Sequence, residues 1–251
     1  ILLLTLVGNS LVCFSVYFFP RLRKPTNYLI VSLAVSDLLV GAFSLPFRIA
    51  QTVNGERFPE SLGLAGCRFW IWVDMLCCGA SIFNLVSISI ERLMAVKWPL
   101  RHRTEMTSKR AFLMILLVWI FALLVASLVL VNWSGRETVV IAPQCSVASR
   151  AYVTIVAHRR PTKSTRLQSM RQLKATKTIA IVLGVFIFSW FPFFVIFLTF
   201  NYCTHCFSPT RIPIQLKSAI VVTFVYVLPV SNSAVNPIIY TCFNETFRSA
   251  F

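Results

Sequence analysis

Long apolar stretches separated by short polar segments make up most of the chain. A helix of about twenty residues, at 1.5 Å per residue, crosses the roughly 30 Å hydrocarbon layer of a bilayer. The pattern therefore predicts membrane-spanning helices rather than a soluble core. The stretches that are long enough are Ile1–Phe19, Tyr28–Phe47, Phe69–Ile90, Ala111–Val131, Thr178–Phe200 and Ala219–Tyr240.

The composition agrees with a membrane protein. Of 251 residues, 57% are hydrophobic and 13% are charged, whereas soluble domains average about 25% charged residues. A net charge of +16 is common in nucleic-acid-binding proteins, but here the basic residues lie in short loops between apolar stretches. We therefore expect one membrane domain over residues 1–251, a lipid bilayer as partner, and no nucleic acid. The chain begins inside an apolar stretch without an initiator methionine, so we expect trimmed termini.

The distribution of basic residues predicts the orientation. Most of the 24 lysines and arginines follow the first stretch, lie between the third and the fourth, or precede the Thr178–Phe200 stretch. Cytoplasmic loops carry such an excess, so the N-terminus is expected outside and the C-terminus inside. Ala111–Val131 then ends outside while His158 lies inside. A seventh crossing is therefore required between them.

The third stretch contains a single charged residue, Asp74. A charged side chain at that depth costs about 2.5–3.5 kcal/mol on insertion scales, so a compensating partner is expected. Eighteen residues, or about five helical turns, separate Asp74 from Arg92, so both lie on one face. Cys78 and Ser81 follow at helical offsets on nearly the same face. The helix thus has an acid near its outer end and a base at its inner end, both facing the bundle.

Several motifs occur in a fixed order on these stretches. They are GNSLV with Asn9, SLAVSDLLVG with Asp37, IERLMAVKWPL with Arg92, a single Trp119, FSWFPFF with Trp190 and Pro192, and NSAVNPIIY with Asn236, Pro237 and Tyr240. Together they resemble the rhodopsin-like (class A) G protein-coupled receptors over essentially the whole chain. The resemblance implies an all-α, seven-transmembrane helix bundle in the plasma membrane that binds an extracellular ligand and activates a heterotrimeric G protein. An enzyme is not expected, because the sequence shows no nucleophile–base pair or metal cluster.

The motifs are closest to those of the biogenic amine receptors. In that subfamily, the aspartate that Asp74 matches binds the protonated amine of the ligand. The ligand-binding residues implied by the resemblance are Asp74, Cys78, Trp190, Phe193 and Phe194. Val227 and Val230 depart from the subfamily, which usually has a tryptophan and a tyrosine there. A peptide ligand, or a basic partner of Asp74 within the protein, are therefore the alternatives, and an internal partner would remove the need for a cationic ligand.

A second polar cluster is implied around Asp37. Receptors of this family hold a sodium ion with a carboxylate and neutral oxygens, which suit a hard cation. The residues implied for this site are Asp37, Ser81, Asn232, Ser233 and Asn236. The alternative is a protonated Asp37 that is hydrogen-bonded to the asparagines. Apart from sodium as an allosteric ligand, no metal and no cofactor is expected.

The inner ends of the helices carry the residues implied in activation and G protein coupling. They are Glu91, Arg92, Pro237 and Tyr240. Arg92 is implied to meet the G protein once the inner helix ends part, with Glu91 as its resting partner. Gln172 stands where amine receptors often carry an acid for Arg92, so we expect raised basal activity.

The resemblance also pairs four of the cysteines. Cys67, at the outer end of the third helix, is implied to join Cys145 in the second outer loop. Cys203 is implied to join Cys206 within the third outer loop. Both pairs lie on the side predicted to be outside, where oxidising conditions allow disulfides.

The segment available for the fifth helix, 138–157, is shorter than the family pattern requires. A helix over Ser146–Ala157 has 12 residues and a length of about 18 Å, which is too short to cross. One that begins at Thr138 buries Arg150 and draws Cys145 into the membrane. We therefore expect a truncated or degenerate fifth helix, and a truncated, non-signalling receptor is the alternative function.

Overall fold

The computed structural model describes residues 1–54, 58–131, 140–141, 145–147, 173–202 and 213–243. The regular structure in these ranges is helical, apart from the antiparallel pair β1 (Val140–Ile141) and β2 (Ser146–Val147). The helices are α1 (Leu2–Phe18), α2 (Pro25–Leu39), α3 (Leu45–Val53), α4 (Gly63–Lys97), α5 (Pro99–Glu105), α6 (Ser108–Ser127), α7 (Leu173–Tyr202), α8 (Ile214–Ile220) and α9 (Leu228–Phe243). The all-α fold class is confirmed. The predictions on Arg150, on Gln172 and on the Cys203–Cys206 disulfide concern residues outside the described ranges.

The described helices reproduce the apolar stretches. Within the described residues, four segments are long and apolar enough to cross a membrane: Pro25–Val53, Gly63–Ala95, Ser108–Leu130 and Gln215–Ile239. Shorter apolar segments are Leu2–Phe18 and Gly184–Thr199. Apolar side chains remain exposed on the outer faces, for example Leu113, Leu116 and Leu117 of α6. Such exposed apolar surface is what helices present to lipid.

A π-helical turn, Val40–Ser44, joins α2 to α3 into one continuous span. At its end the N–H of Leu45 donates to the carbonyl of Val40, five residues earlier. Pro46 follows and has no N–H to donate, which favours an irregular turn at this point. A π turn contains one more residue than an α-helical repeat, so it rotates the side chains after it relative to those before it. Arg48 lies on α3, shortly after this turn.

Several described helices extend further than the apolar pattern predicts, and two of these extensions concern the second and third stretches. The pattern ends the second stretch at Phe47, but the helix continues to Val53 and so includes Arg48. Helix α4, which contains the third apolar stretch, begins at Gly63 rather than at Phe69. The difference arises because helical backbone hydrogen bonds do not depend on side-chain polarity, so a helix can continue past the apolar layer. Arg48 therefore belongs to the bundle and not to a loop.

The inner half of the bundle is held together by a core shared by α1, α2 and α4. Its buried members include Val12, Leu29, Leu33 and Leu85. At Gly8 an added Cβ would lie 2.9 Å from Cγ of Pro237, so the absence of a side chain lets α1 approach α9 closely. Trp119 donates its Nε1–H to Ser32 Oγ at 3.1 Å, which connects α6 to α2.

The described part of 138–157 is extended rather than helical. β1 and β2 pair as a short antiparallel ladder, and Cys145 between them has a φ of +50°. A continuous helix over 138–157 or over 146–157 is therefore excluded, and the rest of the segment predicted for the truncated fifth helix, 148–157, lies outside the described ranges. A disulfide between Cys145 and Cys67 connects the strand pair to α4.

Candidate functional site

A cavity of about 370 Å³ lies between α4, α6, α7 and α9. The predicted ligand-binding residues Asp74, Cys78, Trp190, Phe193 and Phe194 all line it. Among the described lining residues, Asp74 and Arg48 are the only charged ones, and most of the others are aliphatic or aromatic. Apolar walls with a few polar groups are typical of a small-molecule site.

The carboxylate of Asp74 is bound through both of its oxygens. Ser44 donates to Oδ1, and Arg48 Nη2 donates to Oδ2 at 2.5 Å. The Nε of Arg48 also donates to Ser44 Oγ at 3.3 Å. The side chain of Asp74 is 4% exposed and that of Arg48 is 18% exposed. The internal basic partner, one of the alternatives raised by the sequence, is thus present, and Asp74 does not depend on a ligand for its counter-ion.

Arg48 is the site residue that the sequence analysis missed. Its guanidinium carbon lies 5.7 Å from the ring centroid of Trp70, a distance at which a cation is attracted to an aromatic face. Trp70 in turn packs against Phe47 and Phe58. The sequence did contain a signal, because Arg48 is a basic residue directly after an apolar stretch whose helix packs beside the one that carries Asp74.

The aromatic side chains of α7 form the floor of the cavity. The ring centroids of Trp190 and Phe193 are 5.5 Å apart in an edge-on arrangement, and Phe194 is 6.1 Å from Trp190. The Nε1 of Trp190 is buried and has no hydrogen-bond partner among the described residues. A buried donor that lacks a partner beside a cavity is a candidate contact for an acceptor group on a ligand.

Asp37 lies deeper in the bundle, where α2, α4 and α9 meet. Ser233 donates to its Oδ1 at 2.7 Å, and Ser81 Oγ lies 3.0 Å from the same oxygen. Asn236 Nδ2 donates to Oδ2 at 2.9 Å. Asn232, the remaining predicted member, is buried and lines the cavity. The carboxylate and hydroxyl oxygens fit the ligand type that a sodium ion takes, although the same donors also satisfy the carboxylate directly.

Glu91, at the inner end of α4, is fully buried. Its Oε1 accepts a hydrogen bond from Thr26 at 2.6 Å and lies 2.8 Å from His102 Nε2. Its Oε2 is 3.4 Å from Nε of Arg92, so the two residues predicted to pair at rest are in contact. The sequence analysis did not identify Thr26 or His102 as partners. The side chain of Tyr240 lies outside the described part of the chain.

Short-range ion pairs fix α5, the helix that carries His102. Arg101 Nε donates to Glu105 Oε1 at 2.7 Å, and Arg110 Nη1 donates to Glu105 Oε2 at 3.0 Å. These hydrogen bonds, first that from Arg101 and then that from Arg110, lower the pKa of Glu105. Since Arg110 belongs to α6, they connect the two helices on the side of the bundle that carries Glu91.

The predicted disulfide between Cys67 and Cys145 is present, with a Cα–Cα distance of 5.7 Å. It connects the outer end of α4 to the turn between β1 and β2. Both cysteines are buried beside Trp70 and Val129. The strand pair is therefore covalently tied to the helix that carries Asp74.

Comparison with known proteins identifies close relatives among amine receptors. The D(1A) dopamine receptor of Didelphis virginiana is 30% identical over 100% of this chain and 70% of its own length. The histamine H2 receptor of Canis lupus familiaris is 30% identical over 100% of the chain and 76% of its length. The 5-hydroxytryptamine receptor 1B of Mus musculus is 29% identical over 100% of the chain and 83% of its length. The histamine receptor alignment spans 284 positions, so that relative has residues with no counterpart in these 251.

A sequence profile of the family described as 7 transmembrane receptor (rhodopsin family) matches residues 8–151 and 138–240. The two matches together cover most of the chain and include every motif on which the resemblance depends. The relatives are receptors and not enzymes. The chain belongs to the rhodopsin-like (class A) family of seven-transmembrane G protein-coupled receptors, close to the biogenic amine receptors.

Proposed function

We propose that this multi-pass plasma-membrane receptor binds a small protonated amine from the extracellular side and activates a heterotrimeric G protein. The observation that carries the proposal is the position of Asp74 in the cavity, beside Cys78, Trp190, Phe193 and Phe194. The relatives named for dopamine, histamine and 5-hydroxytryptamine favour an amine over a peptide. The small volume and apolar walls of the cavity favour a compact ligand as well.

Asp74 provides the negative charge that attracts the ammonium of the ligand. Two unit charges 4 Å apart attract by about 4 kcal/mol at an effective dielectric constant of 20, against about 1 kcal/mol in bulk water. The low exposure of Asp74 places this contact nearer the first value. Phe193 and Phe194 line the same cavity, and their rings add attraction for a nearby cation. Arg48 already binds the carboxylate of Asp74, however, so the ammonium must share this carboxylate with Arg48 or displace Arg48 from it.

The orientation that we propose has the N-terminus outside. The basic loops support it, since cytoplasmic loops are enriched in lysine and arginine. The Cys67–Cys145 disulfide lies at the opposite end of α4 from Arg92, which agrees with an oxidising outer side. In this orientation Glu91 and Arg92 face the G protein, and Pro237 and Tyr240 lie at the inner end of α9.

Sodium is the allosteric ligand that we propose for the cluster around Asp37. The hydroxyl oxygens of Ser81 and Ser233 lie 3.0 Å and 2.7 Å from Oδ1 of Asp37. A cation that is small and prefers oxygen ligands matches this set. The competing interpretation is a protonated Asp37 that is satisfied by Asn236 and the serines.

A truncated, non-signalling receptor is the second candidate function. The observation in its favour is that the alignment with the histamine H2 receptor contains positions that this chain lacks. A receptor that lacks part of a crossing helix is expected to reach the cell surface poorly. Labelling of an extracellular epitope on intact cells separates this candidate from a signalling receptor.

The test of the amine proposal is a panel of monoamines applied to the receptor and to Asp74→Asn, with cyclic nucleotide and calcium as readouts. A charged hydrogen bond contributes about 1.5–3 kcal/mol, so the variant should lose about 10- to 150-fold in potency. Glu105→Gln removes an acid on the opposite side of the bundle and is the matched control. Equal responses of the receptor and Asp74→Asn, at equal surface expression, would refute the proposal.

A further inference from the structure

We infer that the ligand is zwitterionic: an amine that also carries a carboxylate, of the amino-acid type, whose ammonium pairs with Asp74 and whose carboxylate pairs with Arg48. The inference rests on the proposed function, because it assumes that the cavity between α4, α6, α7 and α9 is the ligand site. It goes further by making Arg48 a determinant of ligand class.

The first argument is the charge of the cavity. Its described lining carries one positive and one negative side chain, Arg48 and Asp74, which are in contact. A ligand that is only cationic is attracted by Asp74 and repelled by Arg48 at nearly the same distance, so the two interactions largely cancel. A ligand that carries both charges keeps the cavity neutral and pairs each fixed charge with an opposite one.

The second argument is geometric. In an amino acid the ammonium and the carboxylate are separated by very few bonds, and in the protein the two fixed charges are separated by one hydrogen bond between Arg48 Nη2 and Asp74 Oδ2. The two ion pairs can therefore lie side by side with opposite polarity. Each of the four charged groups then has two neighbours of opposite charge: the group that it binds across the contact and the other charged group of its own molecule. A planar guanidinium also binds carboxylates through two parallel hydrogen bonds, which an amine cannot use.

The third argument concerns the fixed position of Arg48. Ser44, which lies one helical turn before Arg48, accepts a hydrogen bond from it, and the face of Trp70 lies against its guanidinium. An arginine that is held in this way loses little side-chain freedom when it binds, which favours recognition over simple charge balance. Its Nη2 also contacts Asp74 of α4 at 2.5 Å.

The remaining walls of the cavity indicate the side chain of the ligand. Trp190, Phe193, Phe194 and Phe197 line the side formed by α7. Their rings form a continuous group, with centroids of Phe193 and Phe197 5.6 Å apart. Aromatic rings pack well against such a surface. An amino acid with an aromatic side chain therefore fits the cavity, because its charged groups can bind Arg48 and Asp74 while its ring packs against the aromatic residues of α7.

The experiment compares amines with the amino acids that differ from them by one carboxylate. The pairs are phenethylamine and phenylalanine, tyramine and tyrosine, tryptamine and tryptophan, and histamine and histidine. Each compound is tested on the receptor, Arg48→Gln, Arg48→Lys and Asp74→Asn. The readouts are G protein activation at matched surface expression and thermal stabilisation of the purified receptor, so that binding is detected even without signalling.

We expect at least one amino acid to act at roughly tenfold lower concentration than its amine on the receptor, because the additional charged hydrogen bond is worth about one such factor. Arg48→Gln should reverse the preference within that pair, and Arg48→Lys should retain part of it. Lys217→Gln is the control and should leave the preference unchanged. It removes a basic residue at the start of the span Gln215–Ile239.

The outcomes separate this inference from the function on which it rests. Activity of amines alone on the receptor, lost in Asp74→Asn, overturns the zwitterion and leaves the amine receptor intact. An amino-acid preference that survives Arg48→Gln overturns the role of Arg48. If the compounds act equally on the receptor and on Asp74→Asn, or if no compound binds, both the zwitterion inference and the proposed function are overturned.

Discussion

Removing Arg48 alone should destabilise the receptor more than removing Arg48 and Asp74 together. A buried charge that loses its partner costs about 3–5 kcal/mol, whereas replacement of a whole buried pair by neutral groups is often close to neutral. The perturbations are Arg48→Met, Asp74→Asn and the double variant. Methionine keeps much of the length of the arginine stem, and asparagine keeps the shape of the aspartate.

The two single changes should not cost the same. Arg48→Met leaves the carboxylate of Asp74, 4% exposed, with Ser44 and Cys78 as its contacts among the described residues. We therefore expect Arg48→Met to cost about 3 kcal/mol, which is within the range for a buried charge that loses its partner. Asp74→Asn leaves a guanidinium that is 18% exposed and lies over Trp70, so we expect about 1–2 kcal/mol.

The assay is the free energy of unfolding of each purified variant, measured by titration with a denaturing detergent in mixed micelles. If the double variant costs about 1–2 kcal/mol, the coupling energy of the pair is about 3 kcal/mol, at the upper end of the range for residues in contact. Additive costs would show that the two side chains do not interact. A larger cost for Asp74→Asn than for Arg48→Met would contradict the burial argument.

Three further predictions concern other parts of the bundle. Sodium chloride should raise the thermal unfolding midpoint of the receptor but not of Asp37→Asn, with choline chloride as control; an equal rise in both contradicts a sodium site. Gly8→Ala should cost about 1–3 kcal/mol through overpacking against α9, whereas Gly184→Ala, with nothing within 4 Å of the added Cβ, should be neutral or stabilising; equal effects would exclude close packing as the cause. His102→Phe should raise ligand-free signalling at matched surface expression, because Glu91 loses a partner at 2.8 Å; unchanged basal activity contradicts this.

The spans were predictable because their signal is local. Each apolar stretch has to satisfy its own backbone hydrogen bonds in lipid, so about twenty apolar residues in a row indicate a helix regardless of its neighbours. The position of Asp74 and Arg92 on one face also followed from helical periodicity alone. The Cys67–Cys145 disulfide and the grouping of Asp37 with Ser233 and other distant residues came from the resemblance to a receptor family, since residues far apart in the sequence are involved.

The partner of Asp74 was not predictable in the same way. Arg48 lies just beyond an apolar stretch, and hydropathy assigns such a residue to a loop. Its place in the bundle depends on the π turn at Val40–Ser44 and on the packing of α3 beside α4. Neither leaves a periodic signal in the sequence. The strand pair around Cys145 was missed for a similar reason, since two residues per strand are too few to show an alternating pattern.

Three carboxylates are buried in the described part of the chain. They are compensated in different ways, and the difference separates their roles. Asp37 accepts hydrogen bonds from neutral donors, which carry no charge to cancel that of a carboxylate, and this is the basis of the sodium site that we propose. Glu91 contacts Arg92 at the inner end of the bundle, where a G protein can compete for the arginine. Of these three, Asp74 is the one whose charge is cancelled by a fixed cation lining a cavity. An ammonium group therefore gains less here than at an unpaired aspartate, because Arg48 repels it, and the affinity of a ligand should depend on what it offers to Arg48 as much as on its amine.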